Sequence, residues 1–134
     1  MKEYNRRQFI ATASGVAAAP LIVDELAQKK DSTKLVHHVF FWLKNKGSVA
    51  DRQQLIEGLK TLAGIKEVKK LMVGTPSPTE QRGVVDNSYD VSELMFFDSI
   101  EGQNAYQVHP IHKAFVEKYS HLWEKVVVYD MDVV

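Results

Sequence analysis

Leu35-Val36-His37-His38-Val39-Phe40-Phe41-Trp42-Leu43 is the stretch on which the fold turns. It is filled with β-branched and aromatic residues, and apolar side chains fall at odd and even positions alike, which predicts a strand buried on both faces. Alternation along a strand sends Val36, Phe40 and Trp42 one way and Val39, Phe41 and Leu43 the other. Such a strand needs a packed layer on each side.

Working outward, Ser48-Val49-Ala50-Asp51 is a capping-box-like helix start, and Leu55, Leu59 and Leu62 with Ile56 and Ala63 form one apolar stripe that Gly64 ends. Residues 66–74 read as a more polar strand and residues 75–87, with two prolines, as a loop. Tyr89 to Phe97 is a further apolar strand. Ser99 caps a short helix through Tyr106, and His109-Pro110 opens another in which Ile111, Phe115 and Tyr119 recur at i, i+4 and i+8. Val126 to Val134 closes the chain as a strand. The order β-α-β-β-α-β is an α+β, ferredoxin-like sandwich in which two helices cover one sheet face. The other face has no cover within the protomer, and a patch of that size is more than monomers usually expose. A two-fold homodimer with sheets packed face to face, a dimeric α+β barrel, is therefore expected.

Composition narrows the chemistry. Five of the 17 Lys/Arg and three of the 17 Asp/Glu fall in residues 1–30, so the remaining 12 and 14 leave the folded part, expected over residues 31–134, mildly acidic. Lys66, Lys69 and Lys70 are the largest basic cluster, too small to neutralise a run of phosphates, and nucleic acid is excluded as a partner. The chain has no cysteine, hence no disulfide, thiolate nucleophile or cluster ligand. Neither a phosphate-cradling glycine loop nor a Gly-x-Ser-x-Gly nucleophile turn occurs.

Residues 1–30 read as an export signal and linker. Asn5-Arg6-Arg7-Gln8-Phe9-Ile10 sets two arginines before an apolar stretch from Ile10 to Val23, similar to bacterial twin-arginine signals, which places the protein in the periplasm or another extracytoplasmic compartment. That stretch is short for a membrane span, which needs ~20 residues. An association with the membrane is expected only if the signal stays uncleaved; Pro20 directly after Ala17-Ala18-Ala19 disfavours cleavage there.

With these elements placed, Ala105-Tyr106-Gln107-Val108-His109-Pro110-Ile111-His112, the opening His37-His38-Val39-Phe40-Phe41, Lys44, and Tyr89-Asp90 with Phe97-Asp98-Ser99 resemble the stress-responsive A/B barrel (Dabb) family over residues 35–133. The resemblance implies a homodimer whose sheets form a barrel, with a pocket between sheet and helices in each protomer. It does not imply one activity. One plant member closes a linear polyketide by an intramolecular aldol reaction with a tyrosine and a histidine, which correspond to Tyr106 and His112, and it has a first-strand histidine corresponding to His37. On the third strand that enzyme carries a further pocket histidine where this chain has Val91, and Glu93 falls at a position usually apolar in the family.

The candidate catalytic residues are thus His112, as a base titrating near neutral pH, and Tyr106, as a hydrogen-bond donor to an enolate oxygen. The candidate ligand pocket is His37, Val39, Phe41, Val91, Glu93 and His109. His109 also suits a cap on its own turn. Glu93 is expected either to orient His112 or to leave the strand for solvent at an irregularity. His109, His112, His37 and Glu93 are ligand types for a metal, but Pro110 breaks the helical spacing that would align the His-x-x-His pair, so neither metal nor cofactor is expected. Two functions follow: a cofactor-free lyase, cyclase or isomerase acting on a small carbonyl compound, or a non-catalytic module that binds a small organic molecule or serves in stress protection.

Overall fold

The computed structural model describes residues 32–134. The expected signal and linker, Arg6 and Arg7 included, lie outside the described residues. Four strands, β1 (Leu35–Leu43), β2 (Lys70–Gly74), β3 (Val91–Phe97) and β4 (Trp123–Asp132), form one sheet in the order β2-β3-β1-β4, every neighbouring pair antiparallel. Three helices, α1 (Val49–Lys60), α2 (Ile100–Gln107) and α3 (Pro110–Tyr119), accompany it. This is the ferredoxin-like α+β fold that the element order predicts. Among the described residues no helix is long and apolar enough to cross a membrane.

Each helix starts on a side chain that accepts an otherwise unpaired backbone N–H. Ser48 Oγ takes the N–H of Asp51 at 3.2 Å, Ser99 Oγ that of Gly102 at 3.0 Å, and His109 Nδ1 that of Ile111 at 3.1 Å with Pro110 in the first helical position. The first helix ends earlier than its apolar stripe suggests: Thr61 Oγ1 donates to the Gly58 carbonyl at 2.6 Å, and the chain tightens into a 3₁₀ turn over Thr61–Gly64 that still buries Leu62.

The strand expected over residues 66–74 is shorter, because Ile65 turns fully inward and a tight turn from Ile65 to Val68 delays pairing until Lys69 and Lys70 reach β3. Tyr89 stays outside β3 and lays its ring against Phe40, centroids 4.9 Å apart. Asp90 then ties the loop to the sheet: its N–H donates to the Phe41 carbonyl at 2.8 Å and its carboxylate accepts the N–H of Leu43 at 2.8 Å. The last strand begins three residues before Val126. A bulge opposite Trp42 and Leu43 pairs Leu43 with Trp123 and passes over Glu124, which turns the Trp123 ring to the helix side, 5.1 Å from Phe41 and stacked at 5.6 Å on Phe115.

The alternation read in β1 holds. Leu35, His37, Val39, Phe41 and Leu43 are buried under the helices with Val91, Met95 and Phe97 of β3, while Leu55, Leu59, Leu62 and Ile65 pack onto them at no measurable exposure. The opposite, outer face carries Phe40, Trp42, Leu94 and Phe96, flanked by exposed Met72, Tyr129 and Met131. No described element covers it.

α1 and α3 meet at Gly58, where a methyl group would lie 2.7–2.8 Å from three ring carbons of Tyr119, too close to the ring's root for the side chain to swing aside cheaply. Alanine favours a helix interior by ~1 kcal/mol over glycine, yet overpacking costs about 1–3 kcal/mol. Gly58→Ala is therefore expected to lower stability in urea denaturation by up to about 2 kcal/mol; a gain in stability would show that the helices can part at this contact.

Candidate functional site

A cavity of about 140 Å³ lies between the inner sheet face and the last two helices. The sheet supplies His37, Val39, Phe41 and Glu93; α2 supplies Tyr106 and Gln107; α3 supplies His112, Phe115 and Val116; and Trp123, Val126 and Val128 come from β4. The cavity opens along β4, where Val126 and Val128 face inward yet remain 38% and 45% exposed because no described helix reaches over them. A cavity of ~150 Å³ takes one benzene-sized ring, and the aromatic lining suits such a ligand.

The polar groups are held by distinct devices. His112, half-buried on the first turn of α3, places Nδ1 3.1 Å from the Gln107 carbonyl. A carbonyl only accepts, so Nδ1 carries the proton and the neutral ring keeps its lone pair on Nε2. Burial pulls this imidazole below its ordinary value of 6.5, the bond to Gln107 opposes that, and His37 adds to the lowering. Tyr106, 1% exposed, packs its ring 4.6 Å from that of His112 and 5.7 Å from that of His37. Burial, joined by the charge of Glu93, pushes its phenol up out of the ordinary range. His37 Nδ1 donates to Asp130 Oδ1 at 2.5 Å, across the β1–β4 register that sets the two residues opposite each other.

Glu93 sits in unbroken register between Val39 of β1 and Val73 of β2 and is 2% exposed. Its Oε2 is buried without a hydrogen-bond partner, and burial pushes the carboxyl up to about 8. The irregularity that would turn it to solvent is absent, and so is the carboxylate–imidazole dyad, since the anchor of His112 is a backbone carbonyl.

Of the eight residues singled out from sequence, the structure brings His112, Tyr106, His37, Val39, Phe41 and Glu93 to one cavity. Val91 and His109 are not in its lining. Val91, opposite Phe41, is fully buried core, and His109 spends Nδ1 on capping α3. Sequence reasoning missed Trp123, because the bulge that turns it inward leaves no mark on a regular alternation, and it missed Asp130, whose pairing with His37 is visible only in the register. Among the described residues no three His, Cys, Asp or Glu side chains are grouped to hold a metal ion.

The sequence pattern of the stress responsive A/B barrel domain matches residues 35–133. Several solved structures share the fold. A Dabb family protein with a ferredoxin-like fold from Mesorhizobium loti is 22% identical, with 76% of this chain and 98% of that one aligned at a TM-score of 0.62. A dimeric ferredoxin-like protein of unknown function from Thermobifida fusca is 24% identical over 75% of this chain and 92% of that one, TM-score 0.60. The hydroxynitrile lyase of Passiflora edulis is 22% identical over 78% of this chain and 96% of that one, TM-score 0.63. No curated protein matches the chain. The match runs from the first residue of β1 to the residue after β4, taking in the whole sheet and all three helices, and the chain belongs to the stress responsive A/B barrel domain family.

Proposed function

We propose that this protein is a cofactor-free lyase, cyclase or isomerase that takes a proton from a small carbonyl or hydroxynitrile compound. The observation that carries this reading is the hydrogen bond from His112 Nδ1 to the Gln107 carbonyl, which leaves Nε2 as the basic atom of a cavity that also holds the Tyr106 phenol. Nε2 removes the proton next to the carbonyl, the bonding pair moves to the carbonyl oxygen, and the Tyr106 O–H donates to the oxyanion so formed. The imidazolium returns its proton when the enolate collapses or closes on a second carbon. A ring whose pKa is lowered stays unprotonated at neutral pH, with its lone pair free to take a proton, and a phenol that resists ionisation stays a donor. The likeness to a hydroxynitrile lyase supports the same base acting on an O–H proton: the O–H pair becomes the C=O bond, the C–CN bond breaks, and cyanide leaves with the proton that the imidazolium returns.

Two assays test the reading on the full chain: exchange of the methyl protons of acetophenone in D₂O, followed by NMR, and cleavage of mandelonitrile. His112→Ala is expected to lower whichever rate the wild type shows by about 100-fold or more, and Tyr106→Phe by roughly 100-fold, with unchanged circular dichroism. Since only the neutral ring is a base, the wild-type rate is expected to persist as pH falls to 6.5 and to drop below it. A rate unchanged by His112→Ala would leave the cavity as a binding site only.

We further propose that two copies pair through the outer sheet face, where Phe40, Trp42 and Leu94 lie beside exposed Tyr129 and Met131. The description of the Thermobifida fusca relative as dimeric supports it. Light scattering of the full chain is expected to give twice the chain mass, and Tyr129→Glu, a substitution at a position 65% exposed in the protomer, the chain mass itself. Wild type at the chain mass would refute the pairing.

Arg6 and Arg7 ahead of the apolar stretch support export by the twin-arginine route. Replacing both with lysine is expected to hold the protein in the cytoplasm of a bacterial host; continued export would point to another route.

A further inference from the structure

Glu93 is the group that the reading above does not use and that the fold does not explain. It stands in the middle of β3, in a regular ladder, at a position where an apolar side chain would satisfy the core. Its Oε2 is buried and unpartnered, and among the described residues no lysine or arginine lines the cavity. The titratable groups around it come from three elements: His37 on β1, Tyr106 on α2 and His112 on α3, with Asp130 of β4 behind His37. On the remaining sides β2 sets Val73 beside it and α1 buries Leu55 and Leu59. The Nδ1 of each histidine is committed elsewhere, to Asp130 and to the Gln107 carbonyl. A carboxylate in such surroundings has no cation to balance it, and burying an unpaired charge is so costly that the group takes up a proton instead.

We propose that Glu93, as a neutral carboxylic acid, is the second donor of an oxyanion-binding pair with Tyr106, and that the pocket therefore selects uncharged carbonyl compounds of about one-ring size. Glu93 and Tyr106 line the same cavity, Glu93 from the sheet and Tyr106 from α2, so both O–H groups are available to one ligand oxygen. Two neutral donors in low dielectric complement an oxygen whose negative charge grows during reaction, and they need no counterion in the resting state. An ammonium ligand fits less well: it would draw the proton off Glu93, and the nearby carboxylate, Asp130, already serves His37. The proposal rests on the enolate-forming reading above and adds a residue and a substrate class to it.

The probe is p-nitrophenolate, a stable anionic oxygen on one ring, titrated into the full chain by absorbance. Wild type is expected to bind it near neutral pH, Glu93→Gln to bind within a few-fold because the amide still donates, and Glu93→Leu to bind at least tenfold more weakly. Because the donor must be protonated, wild-type affinity is expected to fall about tenfold per pH unit above about 8 while that of Glu93→Gln stays level. Glu93→Leu should also melt higher than wild type, since it removes a buried unpaired polar group, so weak binding by this variant would not reflect unfolding. That excess should widen between about pH 5 and about pH 8, the interval in which the unfolded chain has lost the Glu93 proton and the folded chain retains it. Binding by Glu93→Leu equal to wild type, a wild-type affinity that stays level through pH 8, or tighter binding of benzylamine than of p-nitrophenolate would each overturn the proposal. None of those results bears on the dependence of proton exchange on His112, so the catalytic reading stands or falls separately.

Discussion

A strand that is apolar on both faces can be satisfied only from two sides, and β1 imposes that condition on the rest of the molecule. Its inner residues draw α1, α2 and α3 onto one side of the sheet, and its central position, between β3 and β4, makes it the reference against which both neighbours are registered. The outer residues Phe40 and Trp42 have no described layer over them, and beside them His38 is held below its ordinary pKa by burial and by neighbouring His37, while its Nε2 bonds Ser92 Oγ at 2.8 Å. A neutral imidazole tied to a hydroxyl can enter an apolar interface at little cost. One strand thus provides both a wall of the cavity and the centre of the outer face.

The cavity is built so that its groups avoid charge. Tyr106 and Glu93 resist losing a proton and His112 resists gaining one, in each case because burial disfavours the ionised form most. His37 is paired with Asp130 at the edge of this cluster. A cavity composed this way sets uncharged donors and acceptors in a low dielectric, where each hydrogen bond is stronger.

Much of this was legible in the sequence, for definite physical reasons. Alternation in residues 35–43 and the caps at Ser48, Ser99 and His109 are local signals, and they placed the layers correctly. Tyr106 and His112 came from a motif whose turn chemistry, a histidine cap before Pro110, fixes where α3 begins. The site's other half depends on long-range register. His37 meets Asp130 only because β1 and β4 pair as they do, and Trp123 faces the cavity only because Glu124 is passed over. Val91 and Glu93 show the limit of parity: both face inward, yet Val91 lies under the core, outside the cavity that Glu93 lines.

The clamp made by Asp90 separates two kinds of change that evolution could try. Because its backbone and carboxylate fasten the chain to Phe41 and Leu43 before β3 starts, the register of the sheet does not depend on the length of the segment between Gly74 and Asp90. Closing a flexible loop of twice the length costs only about 0.6 kcal/mol more, whereas a slip of one residue within β3 would exchange Glu93 for Ser92 or Leu94 on the helix side. Insertions early in this connection, before Ser88 and Tyr89 meet Trp42 and Phe40, are therefore close to neutral, and the arrangement of side chains beneath the helices is independent of them.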